Sequence, residues 1–487
     1  MKTIDELNHN PRFAELPENF FQYVEPDGLK QAHIIDFNEN AANLINLAHD
    51  QQHDSDFLAY MSGNKVIPNT RPLAAVYAGH QFGHYVPQLG DGRALLLSEI
   101  TNTDGSTWDL QLKGAGLTAF SRQGDGRAVL RSTIREYLCS EAIFHLGIPT
   151  TRGLCIIGSD TDVYRERIEK GAILARMAPS HIRFGTVQYF YHTNQHELLP
   201  QLLDHLIEDH YPELQRSNTK YEELLEAIVI KTATLMAKWQ SVGFAHGVMN
   251  TDNMSVLGLT MDYGPFGFLD NYDPGYICNH SDFHGRYAFD QQPNIGLWNL
   301  TCLAEAFTPL ICIDAAKQAL SKYEAAYSNH YIDLMLEKLG FKEYQPAHLN
   351  LIKDLLEQMQ ESAVDYTLTL RKLSNFETDQ TTVFSLRDLF INRERMDQWL
   401  KDYAAALKQE NTPELQRRKT MDAVNPKFIL RNHLAQIAIE KAESGDYGET
   451  KRLKKILSTP FDEQPEHEEY ASHPPEWARE IEISCSS

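Results

Sequence analysis

The chain has 487 residues, 42% of them hydrophobic, and its 45 Lys and Arg against 67 Asp and Glu give a net charge of −22. This length suits two lobes with additional helices, and so acidic a surface argues against a nucleic-acid partner. No apolar run approaches the roughly 20 residues needed to span a bilayer and the N-terminus is polar, so we expect a cytoplasmic protein without membrane contact.

Strand and helix patterns alternate in the first part of the chain. Segments 93–100 and 107–113 flank a polar turn that contains Asp-Gly, which predicts a β-hairpin with Lys113 on the polar face of its second strand. Apolar residues recur every four positions over 128–147, which predicts an amphipathic helix with Glu136 outside the apolar stripe. Protein kinases carry their ATP-binding lysine and its glutamate partner in this order. Taken singly, both residues are also typical of solvated surface charges.

Two glycine turns and two arginines suit phosphate. Gly90–Gly92 precedes the first strand of the hairpin, and Gly124–Gly126 precedes the helix predicted at 128–147. A glycine turn that opens a helix can present N–H groups to an anion, so the second turn is the better site. Arg176 and Arg183 follow, and guanidinium groups suit bidentate phosphate contact. Tight turns and surface arginines are the simpler alternatives.

The segment 245–270 carries the residues best suited to metal chemistry. His246 and Asn253 are seven positions apart and Asp262-Tyr263-Gly264 follows, as in the kinase patterns H-R-D-x-x-x-x-N and D-F-G. An amide and a carboxylate are oxygen ligands that a hard cation accepts beside phosphate oxygens. Turn-forming residues are the alternative for this segment alone. Together with the lysine and glutamate, it predicts a kinase-like nucleotide site.

The position of the kinase catalytic aspartate, two residues after the histidine, holds Val248, which cannot accept a proton. Asp252, next to Asn253, is a carboxylate that can act as a displaced base. A chain with the metal ligands and the lysine but no base at the usual place is either an inactive scaffold or an enzyme with different chemistry on the same nucleotide. The residues alone leave both open.

These patterns predict an α+β protein with a protein-kinase-like, two-lobed fold: a small β-rich N-lobe, a large helical C-lobe, and helical and tail extensions. Strands are also predicted at 155–166 and 171–178, and helical patterns dominate most of 297–460. We divide the chain into an N-terminal extension, an N-lobe that binds the nucleotide phosphates, a helical C-lobe with the metal-binding loop, and an extended tail. Their bounds are 1–60, 61–190, 191–460 and 461–487.

The combined motifs closely resemble the selenoprotein O family across nearly the whole chain: RPLAAVYAGHQFG, PQLGDGRALLL, DLQLKGAGLTAFSRQGDGRAVLRSTIREYL, HGVMNTDNMS and MDYGPFGFLD. The resemblance implies a pseudokinase fold and a protein adenylyltransferase, which transfers AMP from ATP to Ser, Thr or Tyr hydroxyls of proteins and releases pyrophosphate. It also implies Mg²⁺ or Mn²⁺, and ATP in an orientation reversed from that in kinases. A kinase that transfers the γ-phosphate to a protein or small molecule, and a silent ATP-binding scaffold, are the alternatives.

The resemblance assigns a role to each candidate residue. Asp252 would accept the proton, Asn253 and Asp262 would hold the metal ion, and Glu136 would orient Lys113. We expect the matching residues His80, Gln81 and His84 to be structural. The nucleotide would contact Gly90, Gly92, Arg93, Lys113, Asp125, Gly126, Arg176, Arg183 and Asp262.

The resemblance also draws attention to Cys485, third from the C-terminus, where some members of the family carry selenocysteine. The chain has six cysteines and no C-x-x-C pair, which argues against a zinc site. Cys278 follows Asp262 on a predicted loop and is the candidate redox partner of Cys485. A thiol without a partner on the tail is the alternative, since cytosolic disulfides are uncommon unless regulatory. We expect the remaining cysteines to be buried: Cys139, Cys155, Cys302 and Cys312.

Overall fold

Most of the β structure belongs to the first 178 residues. The structure is a computed structural model that describes residues 1–379, 384–410 and 412–483. Its strands are β1 (Phe21–Tyr23), β2 (His33–Phe37), β3 (Leu73–Ala75), β4 (Gly79–Gln81), β5 (His84–Val86), β6 (Ala94–Thr101), β7 (Thr107–Lys113), β8 (Ala128–Val129), β9 (Arg152–Tyr164), β10 (Ile168–Ala178), β11 (Phe244–Ala245) and β12 (Gly267–Phe268).

Eight of these strands form one antiparallel sheet in the order β1-β3-β6-β7-β10-β9-β2, with β8 on β10. The predicted hairpin is confirmed as β6 and β7, and the second predicted strand pair as β9 and β10. β7 also pairs with β10, so that Lys113 is opposite Leu174 and Gln111 is opposite Arg176. Because side chains two positions apart share one face of a strand, Lys113, Gln111 and Arg176 project to the same side of the sheet.

Helices dominate after residue 184, and the prediction of an α+β protein is confirmed. No helix in the described ranges combines the length and apolar character needed to cross a membrane. The helices are α1 (Glu39–Asn43), α2 (Ser55–Met61), α3 (Leu130–His145), α4 (Phe184–His192), α5 (Leu199–His210), α6 (Lys220–Ser241), α7 (Gln292–Phe307), α8 (Ile313–Leu320), α9 (Lys322–Lys338), α10 (Pro346–Ser362), α11 (Tyr366–Leu373), α12 (Phe384–Arg387), α13 (Arg393–Glu410), α14 (Glu414–Asp422), α15 (Asn432–Glu443) and α16 (Gly448–Leu457).

The sheet is covered on both faces. Leu110 and Leu112 pack with α1 and α2 on one side, in a core that excludes water. On the other side, Leu174 packs with the apolar face of α3. The polar residues of β7 lie on this second side, where α3 carries Glu136. The alternation of β7 thus separates a wholly apolar core from a face that mixes apolar contacts with charged residues.

Candidate active site

A cleft of about 540 Å³ opens between the polar face of the sheet, the two glycine turns and the loop after β11. All the residues predicted to bind the nucleotide or the metal ion line this cleft. Glu136 does not line it: its side chain lies behind the cleft wall and the residue is only 3% exposed. The predicted residues on the cleft surface are Gly90, Gly92, Arg93, Lys113, Asp125, Gly126, Arg176, Arg183, Asp252, Asn253 and Asp262.

Two carboxylates hold Lys113 and Arg176 in the cleft. The ammonium group of Lys113 contacts Glu136 and lies 3.6 Å from Asp262 Oδ1. Arg176 donates from NH1 to Glu136 Oε1 at 2.8 Å and to Asp262 Oδ1 at 2.7 Å. Its Nε and NH2 donate to Gln111 Oε1 at 3.1 and 2.9 Å. Glu136 therefore contacts two cations and not only the lysine that the sequence analysis assigned to it.

Arg183 joins the same network from the residue before α4. Its guanidinium group contacts Asp262 Oδ2, donates to the main-chain oxygen of Asp252 at 2.8 Å, and lies 4.4 Å from the centre of the Tyr77 ring. Asp262 adopts a φ of +58°, a left-handed conformation that is uncommon outside glycine. Both carboxylate oxygens of Asp262 thus contact arginines, and the network contains three cations and two carboxylates.

The cations of the network lower the pKa values of its two carboxylates. Burial raises the pKa of Glu136, but Lys113 and Arg176 outweigh burial and hold it below its ordinary value. Burial likewise raises the pKa of Asp262, while Arg183, Arg176 and Lys113 hold it well below its ordinary value. Burial lowers the pKa of Lys113, although the charge of Glu136 opposes this. Both carboxylates are ionised at neutral pH, and the surplus cation favours phosphate.

Asp252 lies beside this network on a short turn at 251–253 and is 7% exposed. Its Oδ2 accepts a hydrogen bond from Gln81 Nε2 at 3.2 Å, whereas its buried Oδ1 has no hydrogen-bond partner in the described part of the chain. Burial raises the pKa of Asp252 to about 6, and the Gln81 hydrogen bond and the Arg183 charge limit the rise. Asp252 lines the cleft, where a carboxylate is suited to accept a proton from a bound hydroxyl.

The hairpin β4–β5 fastens the loop that carries Asp252. The N–H of His80 donates to Thr251 Oγ1 at 2.7 Å, and the N–H of Phe82 donates to Asn250 Oδ1 at 3.2 Å. Gln81, which we expected to be only structural, lines the cleft and donates from its side chain to Asp252. The two residues are 171 positions apart, so no local pattern pointed to this contact.

Gln81→Leu removes the side-chain donor to Asp252 while keeping a side chain of similar size. We expect kcat to fall by about tenfold to a hundredfold, the effect of losing one hydrogen bond to a charged group, while KM for ATP changes little. Steady-state kinetics would separate the two constants. His84→Ala, an exposed site on the same hairpin, should leave both unchanged; an equal loss in the two variants would mean that the hairpin acts only as a structural element.

Each glycine turn contains a position where neighbouring atoms leave no room for a Cβ. Gly90 has a φ of +77°, and a Cβ there would lie 2.3 Å from Phe120 Cγ. A Cβ on Gly126, with a φ of +69°, would lie 2.0 Å from Gly116 O.

The expectation that the second turn opens a helix is wrong: β8 lies between Gly126 and α3, because Ala128 and Val129 pair with β10.

Further arginines, missed in the sequence analysis, border the cleft near the second glycine turn. Asp125 forms an ion pair with Arg165 NH1 at 2.7 Å and accepts the N–H of Arg127 at 3.0 Å. Arg122 lines the same edge. These residues surround the turn SRQGDGR, where the local density of arginine was the available signal. They add positive charge at the entrance of the cleft.

Asn253 and Asp262 present the oxygen atoms that a hard cation requires. Asn253 donates its amide Nδ2 to the main-chain oxygen of Val248 at 3.0 Å, which leaves its Oδ1 available. Within the described ranges, no group of three or more His, Cys, Asp or Glu side chains is arranged to hold a metal ion. One amide and one carboxylate therefore fit a cation that takes its other ligands from phosphate and water, as Mg²⁺ does.

The predicted redox pair can be placed only in part. Cys278 lies in a loop, as predicted, but is 5% exposed, with Sγ 2.9 Å from Pro265 O. The N–H of His280 donates to Ile483 O at 2.9 Å, so the tail runs beside this loop. Cys485 lies outside the described residues.

The burial expected for the other cysteines is confirmed for Cys139 and Cys155 only. It is wrong for Cys302, which is half-buried, and for Cys312, which is exposed. Cys312 precedes α8, where its sulfur accepts the N–H of Ala315 at 3.4 Å. Its neighbours in sequence are apolar, but the start of a short surface helix leaves the side chain in solvent.

The cations and oxygen ligands of the cleft suit a polyphosphate and a metal ion. Comparisons with known proteins identify the family of the chain. Residues 3–458 match the family model described as "Protein adenylyltransferase SelO". Proteins named "Protein nucleotidyltransferase YdiU" from Myxococcus xanthus, Thioalkalivibrio sulfidiphilus and Thiobacillus denitrificans are 51%, 52% and 50% identical to this chain, and each match covers 100% of both chains.

The chain therefore belongs to the SelO family, a family of nucleotidyltransferase enzymes, and the resemblance to selenoprotein O is confirmed.

Proposed function

We propose that the protein transfers AMP from ATP to Ser, Thr or Tyr hydroxyls of other proteins and releases pyrophosphate. The observation that carries the proposal is the presence of the Asp252 carboxylate beside the cationic network in the lining of one cleft. The description of the family model supports it. Val248 occupies the place of the kinase base, which argues against γ-phosphate transfer. Lys113 and the two proposed metal ligands line the same cleft, which argues against a silent scaffold.

In the proposed reaction, the acceptor hydroxyl oxygen attacks the α-phosphorus of ATP, whose bond to the oxygen bridging to the β-phosphate breaks. The hydroxyl proton passes to Asp252, and pyrophosphate leaves. ATP lies reversed relative to kinases, so its α-phosphate faces the acceptor. Lys113, Arg176 and Arg183 neutralise the phosphate charge that develops, which stabilises the transition state. The remaining nucleotide contacts are Gly90, Gly92, Arg93, Asp125 and Gly126.

Asn253 and Asp262 would hold the Mg²⁺ or Mn²⁺ ion, which supplies further neutralisation of the phosphates. Both oxygens of Asp262 contact Arg176 and Arg183 in the structure. Phosphate groups would compete for these arginines and release Asp262 to the cation. Glu136 retains Lys113 during this exchange because it remains buried beneath the cleft.

We also propose that the sheet and the helical region are the two lobes of a kinase-like fold. The division at 1–60, 61–190, 191–460 and 461–487 rests on the position of the cleft, whose cations come from residues before 190 and whose metal ligands come from residues after it. Proteins with exposed hydroxyls are the proposed acceptors, and the cytoplasm is the proposed compartment.

ATP labelled at either the α or the γ phosphorus tests the proposed function. The protein itself and a mixed protein extract would serve as acceptors. We expect the α label to become attached to protein. Attachment of the γ label would establish a kinase instead, and bound ATP without any transfer would establish a scaffold.

We further propose that Cys278 and Cys485 form a regulatory disulfide that holds the tail beside the active site. The support is the bond between His280 and Ile483, which brings the tail to the loop of Cys278, and the contact of Cys278 with Pro265, three residues after Asp262. AMP transfer should rise several-fold with a thiol reductant, and Cys485→Ala should have the same rate with and without it. Peptide mapping of oxidised protein that finds no Cys278–Cys485 peptide would refute the pair.

A further inference from the structure

A second hollow of about 660 Å³ lies beside the cleft, and Phe82 lines both. We call it the side groove. Most of it is built from the loop between β12 and α7, and its lining includes Phe82, Ile277, Asp282, Arg286, Asp290 and Ile295.

Arg286 gives the side groove a cation held in place by aromatic rings. Its guanidinium carbon lies 4.5 Å from the centre of the Trp298 ring and 5.8 Å from that of Tyr287. Across the described residues no ion pair of Arg286 is found, and its buried Nε has no hydrogen-bond partner. A guanidinium stacked on aromatic faces loses little conformational freedom when it binds a carboxylate.

The acidic residues of the side groove do not neutralise Arg286. The carboxylate of Asp282 is buried and accepts the main-chain N–H groups of Arg286 at 3.0 Å and Tyr287 at 2.7 Å, so it stabilises the loop. Asp290 is exposed and accepts from Gln291 Nε2 at 3.1 Å. In a chain with a net charge of −22, a groove cation that pairs with neither is available to an external carboxylate.

The side groove is joined to the loop of the proposed proton acceptor. The N–H of Phe82 donates to Tyr287 OH at 2.9 Å, and Tyr287 OH donates to Asn250 Oδ1 at 2.6 Å. Asn250 is two residues before Asp252. A polypeptide in the side groove would therefore lie next to the place where a hydroxyl must sit to reach Asp252.

Exposed apolar side chains border the same loop. Phe283 is 88% exposed and Ile277 is 40% exposed. Apolar groups beside one oriented cation suit a segment that carries both an apolar and an acidic side chain.

We propose that the side groove binds the acceptor segment of the protein to be modified, and that Arg286 pairs with an Asp or Glu side chain of this segment close to the modified hydroxyl. The proposal rests on the proposed function and specifies its substrate: hydroxyls flanked by acidic and apolar residues. Arg286 would thus determine which hydroxyls are selected and would take no part in the chemistry.

Binding of labelled peptides, followed by fluorescence anisotropy, tests the proposal without requiring transfer. The probes are two synthetic peptides with one Thr and one Leu each, identical except that the residues flanking Thr are Asp in one and Lys in the other. We expect the acidic peptide to bind the full-length protein at least about tenfold more tightly, the change that one well-formed charge pair supplies. Arg286→Glu should reverse this order, and Phe283→Ser should weaken the acidic peptide.

Arg216→Glu, an exposed arginine outside both hollows with the same charge change, should keep the preference of the unmodified protein. Equal binding of the two peptides, absence of binding by both, or a preference unaffected by Arg286→Glu would overturn the proposal. Selective binding without any transfer of the α label would instead reject the proposed function and leave the groove assignment intact. Transfer of the α label to protein, together with equal binding of the two peptides, would reject the groove assignment and leave the proposed function intact.

Discussion

Asp262→Ala should reduce AMP transfer by about a thousandfold or more, the upper end of what the loss of one preorganised electrostatic group costs. The carboxylate contacts Arg176 and Arg183, lies 3.6 Å from Lys113, and is the proposed metal ligand. The other carboxylates that line the cleft have partners of their own: Asp91 accepts the N–H of Ala75, Asp125 pairs with Arg165, and Asp252 accepts from Gln81. Transfer of the α label from ATP to protein, measured over a range of Mg²⁺ and Mn²⁺ concentrations, would quantify the loss.

Two further variants sharpen this prediction. Asp262→Asn keeps the shape of the side chain but removes its charge, and we expect a loss nearly as large. Asp273→Ala removes an exposed carboxylate from the same stretch of chain, where it accepts the N–H of Gly275 at 2.9 Å, and should leave transfer unchanged. Most of the activity remaining in Asp262→Ala would show that the metal assignment is wrong.

Glu136→Ala should lower the free energy of unfolding by about 3–5 kcal/mol, because it leaves two buried cations without their shared partner. Glu136 contacts both Lys113 and Arg176 and is almost fully buried. Thermal and denaturant unfolding would measure the loss. AMP transfer should also fall sharply at temperatures where the variant is folded, because Lys113 and Arg176 lose their positions at the phosphates.

A second buried ion pair, between Glu141 of α3 and Arg152 of β9, provides the matched control. Glu141 receives two hydrogen bonds from Arg152, at 2.7 and 2.8 Å, and both side chains are 2% exposed. These residues do not line the cleft. Glu141→Ala should therefore lose a similar amount of stability but retain most of its transfer activity below its melting temperature. Equal losses of activity in the two variants would mean that Glu136 supports the fold and not the site.

Local patterns predicted the parts of the site that lie on regular elements. Alternation in β7 placed Lys113 on the polar face, and the four-residue period of α3 placed Glu136 outside the apolar stripe. The spacing of Asn253 and Asp262 resembled a known motif. Each of these inferences depends on side-chain direction within one element, which the sequence determines through the geometry of strands and helices.

What the sequence could not show depends on contacts between distant segments. Gln81 meets Asp252 only because the hairpin β4–β5 packs on the loop after β11. Glu136 gains Arg176 as a second partner because β10 lies beside β7 in the sheet. The short strand β8 replaces the expected helix start after Gly126 because β10 offers an open edge there. None of these pairings has a signal in neighbouring residues.

The central claim is that this cleft transfers AMP, and the mass of the modified acceptor residue tests it most directly. Acceptor protein treated with ATP and Mg²⁺ would be digested, and the modified peptide analysed by tandem mass spectrometry, with released pyrophosphate and ADP assayed in parallel. We predict that a Ser, Thr or Tyr carries an AMP group and that one pyrophosphate is released for each modification. A residue that carries only a phosphate group, with release of ADP, would contradict the account.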